Sequence, residues 1–304
     1  MIKVSDVAFV RFRVPDLDRA AAFAEAFGLV TAHRDENSLY SRGSDPEPWI
    51  HVVEKGEPGF GGVGFDAATA DDFAAAAELP GASKPEALDG PGGCQRVRFT
   101  DPDGYPVEVV HGREPAAALP APHAQPYNTG QERRRFNVLQ RVDRGPARVK
   151  RLGHCVVRVS DFATSCEWYR SRFGFLPSDE VYLGDPSNVV TAFLRCDRGD
   201  MPVDHHTFLC LGLGEPEFDH AAFEVEDIDA VMLGSEHLAD AGFEHHAGIG
   251  RHVLGSQVFD YWRDPWGHVH EHFTDGDLLD AGVKPGSFDP ATALATQWGR
   301  FALD

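Results

Sequence analysis

His252-Val-Leu-Gly-Ser-Gln-Val-Phe-Asp-Tyr-Trp-Arg-Asp-Pro-Trp-Gly-His-Val-His-Glu-His-Phe-Thr-Asp-Gly276 holds two strands and the turn between them. Asp264-Pro265-Trp266-Gly267 reads as a tight turn, because proline presets φ and glycine accepts the positive φ that such turns need. The flanking residues therefore form a hairpin, with Tyr261 on its first arm and Glu271 on its second. At a period of two, Val269, Glu271 and Phe273 share one face, while His268, His270 and His272 share the other. A carboxylate between apolar neighbours on an inward strand face is costly unless it is paired or holds a metal. Glu271 therefore requires a partner.

Working outward, the hairpin is the last part of a unit that occurs twice. Residues 7–14 (Val-Ala-Phe-Val-Arg-Phe-Arg-Val) alternate as a strand does, and Pro15-Asp16 then opens a helical stretch ending at Phe27-Gly28. Cys155-Val-Val-Arg-Val-Ser-Asp161 leads in the same way into a helical stretch from Phe162 to Arg172, ending at Phe173-Gly174. Further pairs follow in order: Pro58-Gly-Phe60 with Pro216-Glu-Phe218, Asp101-Pro-Asp-Gly104 with Asp264-Pro-Trp-Gly267, and Glu108 with Glu271. A repeat of this size predicts two homologous modules, each a helix followed by several strands. The expected division is a first module over 1–112, a Pro- and Ala-rich linker over 113–150, a second module over 151–274 and a covering tail over 275–304. The tail's one short helical candidate runs from Pro290 to Trp298.

The 304 residues suffice for two cores, and 48 acidic against 28 basic residues give a net charge of −20. That balance argues against nucleic acid or an anionic membrane as partner, since both require a cationic surface. Five cysteines without a C-x-x-C pair read as reduced thiols of a cytoplasmic protein. The start has no signal-peptide character, and no apolar run approaches the roughly 18 residues of a membrane span.

Of 15 histidines, four precede residue 150 and eleven lie between 154 and 272. Aligning the repeats places His154 opposite Phe9 and His220 opposite Gly62, whereas Glu271 keeps a counterpart in Glu108. The first module thus lacks two of three candidate ligands and is expected to be structural. In the second, two imidazoles and one carboxylate from neighbouring strands match the facial arrangement that holds non-haem Fe(II) with coordination positions left open.

The second module resembles the catalytic module of the type I extradiol ring-cleaving dioxygenases, within the vicinal oxygen chelate superfamily. The motifs that carry the likeness are Asp204-His-His-Thr-Phe208, Phe218-Asp-His-Ala-Ala-Phe-Glu-Val225, Gly250-Arg-His252 and Tyr261-x-x-Asp-Pro-x-Gly-x-x-x-Glu271. The linker's Asn128-Thr-Gly-Gln-Glu-Arg-Arg-Arg135, leading to Arg151-Leu-Gly-His154, extends it over nearly the whole chain. The resemblance implies an α+β fold of two tandem glyoxalase/bleomycin-resistance-like modules built from paired βαβββ units. It also implies Fe(II) on His154, His220 and Glu271, with Mn(II) suited to the same donors, and a self-associating protein. His205, His252 and Tyr261 are the implied catalytic residues. Of the two adjacent histidines, His205 is chosen over His206 for its 15-residue distance to His220. His205 would be the acid for O–O cleavage, Tyr261 would hydrogen-bond a substrate oxygen and help take its proton, and His252 would fix the same oxygen from another side. The implied substrates are a small catechol-type aromatic diol and O₂.

Other readings share the fold: a keto-acid dioxygenase, a glyoxalase-like isomerase, or a non-catalytic binder of a small ligand. The first does not call for the trio His205, His252 and Tyr261. The second usually takes ligands from both modules, which Phe9 and Gly62 disfavour, and a mere binder needs no triad. His237, His245, His246, His268, His270 and His272 are read as structural.

Overall fold

The alternating stretch at the start of each repeat becomes the longest strand of its module in a computed structural model, which describes residues 1–120 and 125–300. Residues 121–124 of the expected linker and 301–304 of the expected tail lie outside the described residues. The first module runs β1 (Val4–Val14), α1 (Leu17–Ala26), β2 (Val30–Arg34), β3 (Ser38–Arg42), β4 (His51–Lys55) and β5 (Gly59–Ala67). It continues with α2 (Ala70–Ala76), β6 (Glu86–Leu88), β7 (Cys94–Thr100) and β8 (Pro106–His111). The second copy opens with β9 (Val149–Arg158), α3 (Phe162–Phe173), β10 (Leu176–Tyr182), β11 (Val189–Arg195), β12 (Val203–Asp204) and β13 (Phe208–Leu211). β14 (Glu217–Val225), α4 (Ile228–Asp240), β15 (Glu244–His252), β16 (Val258–Arg263) and β17 (Val269–Thr274) complete it. Each copy is thus two β-α-β-β-β units, and an aspartate, Asp16 or Asp161, caps the first helix of each by accepting from its opening N–H groups.

The strands form an eight-stranded sheet, β2-β3-β4-β1-β5-β8-β7-β6, and a ten-stranded sheet. The larger sheet repeats that order as β10-β11-β13-β9-β14-β17-β16-β15 and adds a tail strand at each edge. β18 (Leu278–Leu279) pairs with β12, while β19 (Gly286–Phe288) lies parallel to β10. After a short helix, α5 (Pro290–Ala293), β20 (Thr296–Gly299) pairs antiparallel with β15. The helix expected over Pro290 to Trp298 is therefore confined to its first turn. The open edge of β15 offers unpaired backbone groups, and the remainder of that segment joins it as a strand.

The helices tie the two sheets together. Phe23 of α1 and Phe27, the residue that caps it, pack edge-on to Phe243 and Phe223 of the second copy. Phe173 of α3 lies against Phe65 and Phe99 of the first. The second face of β17 is accordingly buried rather than solvated. His270 Nε2 is 3.1 Å from His51 Nε2 on β4, and His272 Nε2 is 2.7 Å from the Phe27 carbonyl at the end of α1. All five cysteines are free thiols, and four are buried. Among the described residues, no helix is long and apolar enough to cross a membrane.

Candidate metal centre

Strand register assembles the site. Ala222 of β14 pairs with His154 on one side and with Glu271 on the other, while His220 pairs with Val156 and Val269. Across the hairpin, Tyr261 stands directly opposite Glu271. The turn that fixes this register is built by Asp264, whose Oδ1 accepts the N–H of Trp266 and of His268, and by Gly267 at φ 91°. Asp101 and Gly104 build the same turn in the first module.

The three ligand atoms of His154, His220 and Glu271 lie within 4.8 Å of one another, the one such group of histidine, cysteine or acidic side chains found among the described residues. Glu271 Oε2 is 3.3 Å from His154 Nε2 and 3.4 Å from His220 Nε2. Donors about 2.1 Å from a small divalent cation and at right angles around it stand about 3 Å apart. The spacing therefore fits one cation. Glu271 is only 1% exposed, and neither of its oxygens has a hydrogen-bond partner of acceptable geometry. An ionised carboxylate in that state costs several kcal/mol unless a cation compensates it.

The electrostatics agree. Burial, with His220 close by, holds the His154 imidazole well below its ordinary range, so it is neutral and ready to ligate. Burial likewise lifts Glu271. At His220 burial opposes charge, but the hydrogen bond and charge of Asp219 and the charge of Glu271 outweigh it and raise the imidazole. A cation binding the cluster would therefore displace a proton held there. Asp219 orients His220 through Nδ1 at 2.7 Å, and its own second oxygen is held by Arg158 Nε at 2.9 Å. Burial tends to raise Asp219, but these partners outweigh it and bring it down to about 2.

The catalytic candidates separate on inspection. His252 Nε2 is 3.0 Å from the Tyr261 hydroxyl and 4.0 Å from Glu271 Oε1. Burial lowers His252 to about 4 and, with Glu271 near, raises Tyr261 well above its ordinary value, so both are neutral. His205 is placed differently from expectation. Its Nε2 is 2.8 Å from Asp179 Oδ2 and its Nδ1 is 3.1 Å from His206 Nδ1. The ring beside the triad is that of His206, 4.1 Å from the His154 ring. Consecutive side chains diverge, and a count of residues to His220 does not reveal which one turns inward. Asp219 was legible as the residue preceding a ligand, whereas Asp179 sits on a distant strand with no local signal.

The first module shows why its copy of the site is closed. Phe9 stands where His154 stands, pairing with Gly64 as His154 pairs with Ala222. A Cβ on Gly64 would fall 2.1 Å from that ring. Glu108 is neutralised by Arg11 at 3.2 Å and Arg96 at 3.3 Å. Two guanidinium groups supply there what a metal would supply at Glu271.

Comparison with known proteins agrees with this geometry. Residues 151–271 match the profile of the Glyoxalase/Bleomycin resistance protein/Dioxygenase superfamily. The chain is 31% identical over 300 residues to Metapyrocatechase 2 of Cupriavidus necator, covering 97% of this chain and 89% of that protein. It is 26% identical over 300 residues to the iron-dependent extradiol dioxygenase of Rhodococcus jostii (strain RHA1), covering 92% of each. Among solved structures, the Mn(II)-bound glyoxalase from Novosphingobium aromaticivorans aligns with a TM-score of 0.80 at 24% identity, over 100% of this chain and 94% of that one. At that identity the likeness speaks for the fold.

Proposed function

We infer the reaction from one premise: the chain belongs to the Glyoxalase/Bleomycin resistance protein/Dioxygenase superfamily and, within it, is an enzyme of the extradiol catechol dioxygenase type. The reading is meta cleavage of a catechol-type aromatic diol with O₂, at Fe(II) held by His154, His220 and Glu271. Mn(II) suits the same donors. The observation that carries it is the convergence of those three side chains around a buried carboxylate without a hydrogen-bond partner.

When bound, the metal supplies the positive charge that acidifies a chelated diol and an electron path between ring and O₂. The protein moves the protons. Tyr261, neutral and opposite Glu271, holds a substrate oxygen through its hydroxyl, and His252 Nε2, 3.0 Å from that hydroxyl, holds the same oxygen from another side. His206, rather than His205, takes the acid role. Burial, with His154 beside it, holds His206 well below its ordinary range, so a proton placed there is readily given up. His205 and Asp179 position His206 from behind.

The reading extends to a self-associating, cytoplasmic enzyme, and the free thiols accord with a reducing compartment. It is tested by anaerobic reconstitution with Fe(II), followed by mixing with a panel of catechols in air-saturated buffer. Equimolar O₂ uptake with a new yellow product is expected. Tight iron binding with no diol consuming O₂ would leave the triad standing and remove the reaction.

A further inference from the structure

The two adjacent histidines beside the triad are held by a chain of contacts that begins in the tail. Gly286 of β19 donates its N–H to Asp179 Oδ1 at 3.2 Å, across the parallel pairing of β19 with β10. Asp179 Oδ2 is 2.8 Å from His205 Nε2, and His205 Nδ1 is 3.1 Å from His206 Nδ1. Phe193, which pairs with Asp179 from the neighbouring strand β11, stands edge-on to both imidazoles, with ring centroids 5.5 and 5.1 Å away. Both histidines are buried, so their ring nitrogens depend on partners within the protein.

These contacts fix where the protons sit. A carboxylate only accepts, and a neutral imidazole carries one N–H and one lone pair. His205 therefore keeps its proton on Nε2, facing Asp179, and presents a lone pair at Nδ1. Two lone pairs do not face each other at 3.1 Å, so the N–H between the rings belongs to His206 Nδ1. The lone pair of His206 is thereby placed at Nε2. The opposite tautomer would put a proton there already, and that nitrogen could not receive another.

We propose that Asp179 is a positioning residue: through His205 it fixes His206 in the Nδ1–H tautomer, so that Nε2 receives and returns a proton, and the tail strand β19 holds Asp179 to this task. The use made of that proton rests on the ring-cleavage reading, the tautomer does not, and the test separates the two. Asp179→Asn should reverse the chain. The Gly286 N–H still requires an acceptor and takes the amide oxygen, which leaves the amide NH₂ facing His205 Nε2. His205 then carries its proton on Nδ1 and donates it to His206 Nδ1, and His206 carries its own on Nε2.

¹⁵N NMR of the metal-free, histidine-labelled proteins at about pH 8, where imidazoles are neutral, reads the tautomer, with His206 assigned from the spectrum of His206→Phe. Wild type should show the His206 N–H on Nδ1, and Asp179→Asn should show it on Nε2. With Fe(II) bound and catechol as substrate, kcat should fall about tenfold in Asp179→Asn, a fraction of the loss expected from removing an acid outright, with KM and iron content unchanged. Gly286→Ala keeps the carboxylate and its charge but displaces it, since a Cβ there would fall 2.5 Å from Asp179 Oδ1, and kcat should fall in the same direction. A wild-type N–H on Nε2, an unchanged tautomer in Asp179→Asn, or a switched tautomer with unchanged kcat overturns the proposal. Full turnover in Gly286→Ala overturns the part given to the tail. A wild type that cleaves no diol overturns the reaction instead, and the NMR arm then decides the role of Asp179 by itself.

Discussion

At the residue scale, Glu271 and the pair His205–His206 carry the sharpest expectations. Glu271→Gln removes the charge that a cation needs, so metal affinity should fall by more than about a hundredfold, read as metal content after dialysis. His206→Phe should keep the metal and lose about 10²–10⁴-fold in kcat, whereas His205→Phe should lose distinctly less, because its ring is turned to Asp179. The reverse order would restore His205 as the acid. The triad was legible in the sequence because two copies of one unit could be compared, and only one copy held all three residues. No such comparison distinguishes two adjacent histidines. Their separation depends on where the chain leaves β12 and enters β13, which is a property of the backbone path.

At the element scale, the Asp-Pro-x-Gly turn was legible in full, because its geometry is local. Asp264 both accepts two backbone N–H groups and contacts His268 Nδ1 at 2.8 Å. Asp264→Ala should cost about 1–3 kcal/mol, measured by urea unfolding. Because this turn sets the Tyr261–Glu271 register, metal affinity should fall with it, since a slip of one residue would turn Glu271 to the other face. The equivalent Asp101→Ala should lower stability without touching metal affinity. If both variants lose metal alike, the register argument fails. The tail was less legible. Ala-Thr-Ala-Leu after Pro290 favours a helix locally, but residues 296–299 are claimed by the edge of β15, a partner more than forty residues away. Local propensity carries no information about such an edge.

At the scale of the molecule, the two sheets are joined by a layer whose importance the sequence concealed. His268, His270 and His272 share the face of β17 opposite Glu271, and that face is packed against the first module. Phe12, Phe23 and Phe27 surround His270, and Phe27 stacks on His272 at 3.9 Å. Burial lowers His270 to about 4, with Asp264 opposing and His268 adding to the shift. Burial lowers His272 to about 4 as well, and it drives His51 well below its ordinary value, with His270 contributing. All three are neutral when folded, while in the unfolded chain they ionise near the ordinary imidazole value of about 6.5. Between about pH 6.5 and 4 the unfolded state therefore binds more protons than the folded one, and stability falls as pH falls through that window. A shift from 6.5 to about 4 corresponds to about 3 kcal/mol per group when fully expressed. Urea unfolding of the metal-free protein from pH 7.5 to 4 should show this decline. In a His51→Phe, His270→Phe double variant, which replaces the imidazole pair by two apolar rings in an aromatic layer, the decline should be shallower, although His272 still contributes. Parallel slopes for wild type and double variant would mean that the junction does not govern acid stability, and that the fall originates in the metal cluster on the opposite face of β17.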